Sequence, residues 1–162
     1  MGANPALPNT PRNISRTPPA LGLPQTPFEK PALFGLSVCP TGNAALTPGF
    51  ALKARFVIHA VGPVWRGGDL GEAEQLAQTY VSALRIAVEH GEISTVAFPS
   101  ISTGAYKFPK KQAAEIALTE IQRVEPHLQR VVVCLFDLAG LKAYQATAAR
   151  LCIKIRTSGD AN

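Results

Sequence analysis

The stretch from Thr95 to Pro109 reads T-V-A-F-P-S-I-S-T-G-A-Y-K-F-P, and its residue types suit the binding of an anion. Thr95 to Phe98 is a short apolar run of β-forming residues, expected as a buried strand. Ser100 to Ala105 is a loop dominated by small residues, and Pro109 restarts the chain ahead of a helical pattern. A strand, a small polar loop and a helix start in succession aim consecutive backbone N–H groups into one concavity at the carboxyl end of the strand. Gly104 can take a positive φ and let a ligand approach the backbone closely, which a Cβ would hinder. Ser102 and Thr103 add hydroxyl donors, and Tyr106 and Phe108 add aromatic faces. Lys107, Lys110 and Lys111 cluster beside the loop, as a solvated helix start or as a positive rim next to a phosphate site. An ordinary βα connection is the plain alternative for the whole stretch.

The elements that would hold this loop follow from periodicity. Ala44 to Leu46 reads as a short strand between turns, and Arg55 to Val61 (R-F-V-I-H-A-V) as a strong strand closed by Gly62-Pro63. His59 alternates to one face of that strand, where a packed, hydrogen-bonded histidine is expected rather than a catalytic one. A helix is expected from Gly71 to His90, with Leu76, Tyr80, Ala83, Leu84, Ala87 and Val88 on one stripe. Asp69 and Glu72 favour its N-terminal dipole, and Gly91 supplies a left-handed cap. A second helix begins at Pro109, carries Ala113, Ile116, Ala117, Ile121 and Val124 inward, and stops at Pro126. Arg130 to Phe136 is a continuous apolar strand, the pattern of a sheet covered on both faces, with Cys134 as a small buried hydrophobe. Leu138 to Leu151 closes the series as a helix with Leu141, Tyr144 and Ala148 on one face. Strands alternating with helices give an α/β/α layered domain with a largely parallel sheet.

Composition narrows the function classes. The 162 residues suffice for one domain with a real core, and 46% hydrophobic against 17% charged residues suits a soluble α/β domain. No run approaches the length of a membrane span, and the absence of an apolar signal-peptide core points to a cytoplasmic protein. Cys39, Cys134 and Cys152 are odd in number and widely spaced, and His59, His90 and His127 are scattered, so neither a disulfide framework nor a metal site is expected. No cofactor is expected either. The net charge of +5 is spread along the chain, with no basic stripe interleaved with aromatics, which ranks nucleic acid last among partners. Residues 1–37 hold eight of the fourteen prolines (Pro5, Pro8, Pro11, Pro18, Pro19, Pro24, Pro27 and Pro31), a spacing that no helix or strand survives. That stretch is expected to be a proline-rich disordered arm.

C-P-T-G at Cys39, R-F-V-I-H-A-V-G-P-V-W ending at Trp65 and F-P-S-I-S-T-G-A-Y-K-F-P together resemble the macro domain family, and within it the bacterial O-acetyl-ADP-ribose deacetylases. The resemblance runs from Val38 to Leu151. It implies a three-layer α/β/α sandwich with a mixed, largely parallel sheet, truncated at its N-terminus, over residues 38–153, and a flexible tail over 154–162. The family binds ADP-ribose, and many members hydrolyse esters or glycosidic links attached to it. Carried over to this chain, Ser100, Ile101, Ser102, Thr103, Gly104, Ala105 and Tyr106 would wrap the diphosphate. The N–H groups of Ser102, Thr103, Gly104 and Ala105 would donate to its oxygens. Tyr106 would shape the distal ribose pocket, and Phe136 and Asp137 would lie near the adenosine.

Three departures from the family pattern limit what carries over. A full member begins with a strand ending in Gly-Asp-Ile, then an Asn-Ala-Ala-Asn loop and a glycine-rich turn that carry the adenine-holding aspartate, the catalytic asparagine and an acidic residue. The chain shows none of these ahead of C-P-T-G, and Asn43-Ala44-Ala45 falls after it, so no catalytic residue is assigned. Lys107 stands where the family usually has a glycine. The abrupt change of character before Cys39 points to a reading-frame error or a misplaced gene start, with a genuine shortened domain as the alternative. The function implied is recognition of ADP-ribose or O-acetyl-ADP-ribose, of the type that hydrolyses O-acetyl-ADP-ribose or ADP-ribosyl esters. A non-catalytic nucleotide-binding module or an inactive remnant is the alternative.

Overall fold

A computed structural model describes residues 39–124 and 127–158. The proline-rich stretch 1–37 and the helix stop expected at Pro126 lie outside the described residues. The elements run in the order β1 (Ala44–Pro48), β2 (Phe56–Ala60), α1 (Glu72–His90), β3 (Thr95–Pro99), α2 (Lys110–Val124), β4 (Arg130–Cys134) and α3 (Leu138–Arg150). β1 and β2 pair antiparallel with Leu46 opposite Ile58, and β3 and β4 pair parallel with Ala97 opposite Val132. Among the described residues these pairs form two separate two-stranded sheets, one antiparallel and one parallel, rather than one continuous mixed sheet.

Helix α1 is the spine of the molecule. The stripe read from the sequence is the buried face: Leu76, Tyr80, Ala83, Leu84 and Ala87 are fully excluded from solvent, and Val88 packs at its edge. Burying a side chain the size of Leu76 or Leu84 stabilises the fold by about 1.5–3 kcal/mol each. Gly91 ends the helix at φ 75°, in the left-handed conformation that glycine adopts without a Cβ penalty. Two α1 hydroxyls fasten the strand pair beside it. Thr79 Oγ1 donates to the Val61 carbonyl at 3.2 Å, and Ser82 Oγ to the Gly42 carbonyl at 2.8 Å.

Period-two alternation sends Val96 and Phe98 of β3 into this core together with Val131 and Val133 of β4. The Phe98 ring meets the Tyr80 ring at 5.4 Å. α2 contributes Ala113, Ala114, Ala117, Leu118 and Val124, so the inward face is rotated from the expected stripe and leaves Ile116 and Ile121 half-buried. α3 packs on α2 through Ala143, Tyr144, Thr147 and Ala148, with Leu141 half-buried.

Two side chains depart from the sequence reading. Cys134 is exposed rather than buried. It pairs in register with exposed Pro99, and alternation places both on the face opposite Phe98, which the described elements do not cover. His59 is hydrogen-bonded as expected, its Nε2 lying 2.9 Å from Thr47 Oγ1, but it is exposed instead of packed because alternation turns it away from the face on which Ile58 and Ala60 meet the core. No helix of the described residues is long and apolar enough to cross a membrane.

Candidate functional site

Two loops meet at one end of the strands. β3 leads into Ser100–Pro109, and β2 leads into Val61–Gly71. They touch without spacer side chains because Gly62 has no Cβ. A carbon there would lie 2.3 Å from Ser102 Oγ and 2.6 Å from Ile101 Cγ2. The Trp65 N–H donates to the Tyr106 carbonyl at 2.9 Å, and the Trp65 ring stands edge-on to Phe108 at 4.7 Å.

The loop after β3 folds on itself through a few backbone bonds. The Ser100 carbonyl accepts from the Thr103 hydroxyl at 2.9 Å and from the Thr103 N–H at 3.4 Å. The Gly104 carbonyl accepts from the Lys107 N–H at 3.0 Å, and the Ser102 carbonyl from the Phe108 N–H at 3.0 Å. Among the described residues, the N–H groups of Ser102, Gly104 and Ala105 have no backbone acceptor. Such a set of uncommitted donors on adjacent residues is what a diphosphate needs. Thr103, by contrast, spends its N–H on the turn.

Gly104 does not use the left-handed conformation open to it. Its φ is not positive; the left-handed residues are Ser102, at φ 63°, and Lys107, at φ 56°. Gly104 opens the turn that Lys107 closes, and the strained conformation falls on the closing residue. A Cβ at Gly104 would meet nothing within 4 Å. Space, not backbone conformation, is what glycine supplies here. Lys107 occupies a backbone state that favours glycine, which is the physical sense of the glycine that macro domains usually carry there.

Beneath the loop lie two buried phenols. The Ile101 N–H donates to the Tyr80 hydroxyl at 3.3 Å, and the Tyr144 hydroxyl donates to Ser100 Oγ at 3.4 Å. Burial pushes both phenols upward, Tyr80 the more strongly, so both keep their protons at neutral pH. Sequence reading placed both tyrosines on inward helix faces and overlooked that a buried hydroxyl there must find a partner.

The loop after β2 is organised by Glu72, which is 2% exposed. Its carboxylate accepts from the N–H groups of Arg66 at 2.9 Å, Gly68 at 3.2 Å and Leu70 at 2.8 Å. Burial penalises the charge, but these donors and its own N–H outweigh that and hold the carboxyl below its usual range. The sequence suggested a favourable helix-dipole charge; the structure makes Glu72 the clamp of the loop that carries Trp65.

The remaining residues named from the sequence lie around this centre. Ile101 is buried as a plug, Tyr106 is 44% exposed at the loop tip, and Lys107 and Lys111 are exposed. Phe136 is fully exposed between β4 and α3. Asp137 caps α3, accepting from the Gly140 N–H at 2.7 Å, and forms an ion pair with Lys110. The Lys110 hydrogen bond, then that of Gly140, holds its carboxyl below the usual range. Among the described residues, no group of three or more His, Cys, Asp or Glu is placed to hold a metal ion.

Comparison with known proteins bears on this arrangement directly. The macro domain family model matches residues 30–117, more than half of the chain. The chain belongs to the macro domain family. The match begins ahead of Val38 and ends within α2. This macro domain is 48% identical over 117 residues to a macro domain-containing protein of Chlorobaculum tepidum, covering 70% of this chain and 67% of the relative. It is 47% identical over 107 residues to one of Ralstonia nicotianae, covering 66% of this chain and 62% of that protein. Its structure resembles the Oceanobacillus iheyensis macrodomain with ADP, at TM-score 0.65 and 40% identity, over 70% of this chain and 60% of that one. It also resembles the Trypanosoma brucei macrodomain in complex with ADP-ribose, at TM-score 0.59 and 34% identity, over 67% and 46% of the two chains. The macro domain thus spans 62% to 67% of the length of these curated relatives. The α/β macro fold expected from the motifs is the fold observed.

Proposed function

We propose that this macro domain recognises ADP-ribose, with Ser100 to Tyr106 wrapping the diphosphate. One observation carries the reading: Ser102, Gly104 and Ala105 hold uncommitted N–H donors beside a glycine whose missing Cβ leaves open space. Family members of similar fold were solved with ADP and with ADP-ribose, which supports the ligand class. Tyr106 would border the distal ribose, and the exposed Lys107 and Lys111 would add positive potential around the phosphates. Phe136 would offer its exposed ring to the adenosine, while Asp137, engaged with Gly140 and Lys110, would fix the loop that presents it.

The finer reading, from the resemblance to O-acetyl-ADP-ribose deacetylases, is hydrolysis of O-acetyl-ADP-ribose or an ADP-ribosyl ester. The loop would hold the diphosphate and so orient the distal ribose for attack by water. Glu72 and Asp137 already accept structural hydrogen bonds, so they are assigned no proton-transfer role. Calorimetric titration of ADP-ribose into the full chain tests recognition, and acetate release from O-acetyl-ADP-ribose tests hydrolysis. One-site saturation with acetate release supports both parts. Saturation without release leaves a binding module, and a folded chain that gives no heat overturns the proposal.

A further inference from the structure

Tyr80 and Tyr144 are buried at 0% and 4% exposure, among side chains whose packing phenylalanine would satisfy equally well. A hydroxyl at such depth is costly unless it is hydrogen-bonded. Both hydroxyls find loop atoms: Tyr80 the N–H of Ile101, and Tyr144 the Oγ of Ser100. Ser100 and Ile101 are the residues from which the loop departs. The Ser100 carbonyl nucleates the turn through Thr103, and the Ile101 side chain is wedged against the backbone of Gly62. Fixing this pair fixes where Ser102, Gly104 and Ala105 point.

We propose that Tyr80 and Tyr144 are positioning residues, two hydroxyl anchors from α1 and α3 that set the direction of the loop N–H groups from below. The Tyr80 hydroxyl accepts from the Ile101 N–H, and the Tyr144 hydroxyl donates to Ser100 Oγ. The two bonds hold consecutive residues, Ser100 and Ile101, at the base of the loop. The role assigned to the loop N–H groups rests on the ADP-ribose reading; the control of the loop backbone does not.

Tyr80→Phe and Tyr144→Phe keep the ring and remove only the hydroxyl, and Ser100→Ala removes the acceptor of the Tyr144 hydroxyl. Ser82→Ala serves as the comparison, because it removes a buried hydroxyl bond to Gly42 elsewhere on α1. Hydrogen exchange of the amides of Ile101, Thr103 and Phe108 is measured in the free full-length protein, alongside ADP-ribose affinity and the unfolding midpoint. The three loop-base variants are expected to speed exchange at these amides and to weaken ADP-ribose binding about three- to tenfold, the worth of one hydrogen bond. Ser82→Ala is expected to lower the midpoint and leave both loop readouts unchanged. If wild-type protein fails to bind ADP-ribose while the phenylalanine variants still speed exchange, the ligand assignment falls and the positioning role stands. Unchanged exchange at Ile101 and Thr103 in both phenylalanine variants overturns the positioning role.

Discussion

Trp65 and Tyr106 are joined backbone to backbone, the Trp65 N–H donating to the Tyr106 carbonyl at 2.9 Å, so the loops after β2 and β3 form one surface. The Trp65 ring completes the joint by standing on Phe108. Phe108 is 2% exposed, and its N–H returns to the Ser102 carbonyl. Phe108→Ala should therefore cost about 3–5 kcal/mol of stability, the range for emptying a buried aromatic site. Denaturant unfolding gives the value, and a loss below about 1 kcal/mol would mean the loop does not depend on this ring.

Glu72 gives this joint a pH dependence. Its folded-state carboxyl lies below its usual range, so its contribution to stability is fully present above the unfolded-state value near 4.5. That contribution is lost as pH falls through the lower folded-state value. Wild-type protein should lose stability across this acidic window, and Glu72→Gln should show a lower midpoint at neutral pH with a flatter acid limb. Parallel acid limbs in thermal unfolding from pH 7 to 3 would exclude Glu72 as the clamp.

Two glycines make opposite predictions. Gly62→Ala drives a carbon into Ser102 and Ile101 and should destabilise the fold while displacing the loop. Gly104→Ala places its carbon in open space at an ordinary φ and should keep the unfolding midpoint within about 0.5 kcal/mol, yet impair ADP-ribose binding. Equal loss of stability in both variants would contradict this division.

Lys107 sits at φ 56° without a glycine's freedom. Lys107→Gly should raise stability by roughly 0.5–1 kcal/mol by relieving the left-handed strain, after allowing for glycine's extra chain entropy. A lower midpoint would show that the lysine side chain makes compensating contacts.

The sequence carried the frame of the molecule wherever one periodicity acted alone. The α1 stripe, the Gly91 cap, the β2 run and the strand–loop–helix unit around Ser100 were all legible, since local propensity and burial agree there. Less was legible where a residue's role depends on a partner distant in sequence. Glu72 reads as a dipole charge until the chain bends back to offer it three N–H groups. Tyr80 and Tyr144, far apart in the chain, read as two separate core aromatics. Cys134 reads as buried from its apolar neighbours, but exposure is decided by which sheet face the described elements cover. Gly104 reads as free to take a positive φ, but the turn places that conformation on Lys107 and leaves Gly104 to provide room.

The most direct measurement is the amide spectrum of isotope-labelled protein during titration with ADP-ribose. The account predicts saturable shifts at Ser102, Gly104 and Ala105, with little movement at Gly91 on the far end of α1, and loss of those shifts in Gly104→Val. Saturable binding whose shifts bypass Ser102, Gly104 and Ala105 would contradict the assignment of this loop as the diphosphate cradle.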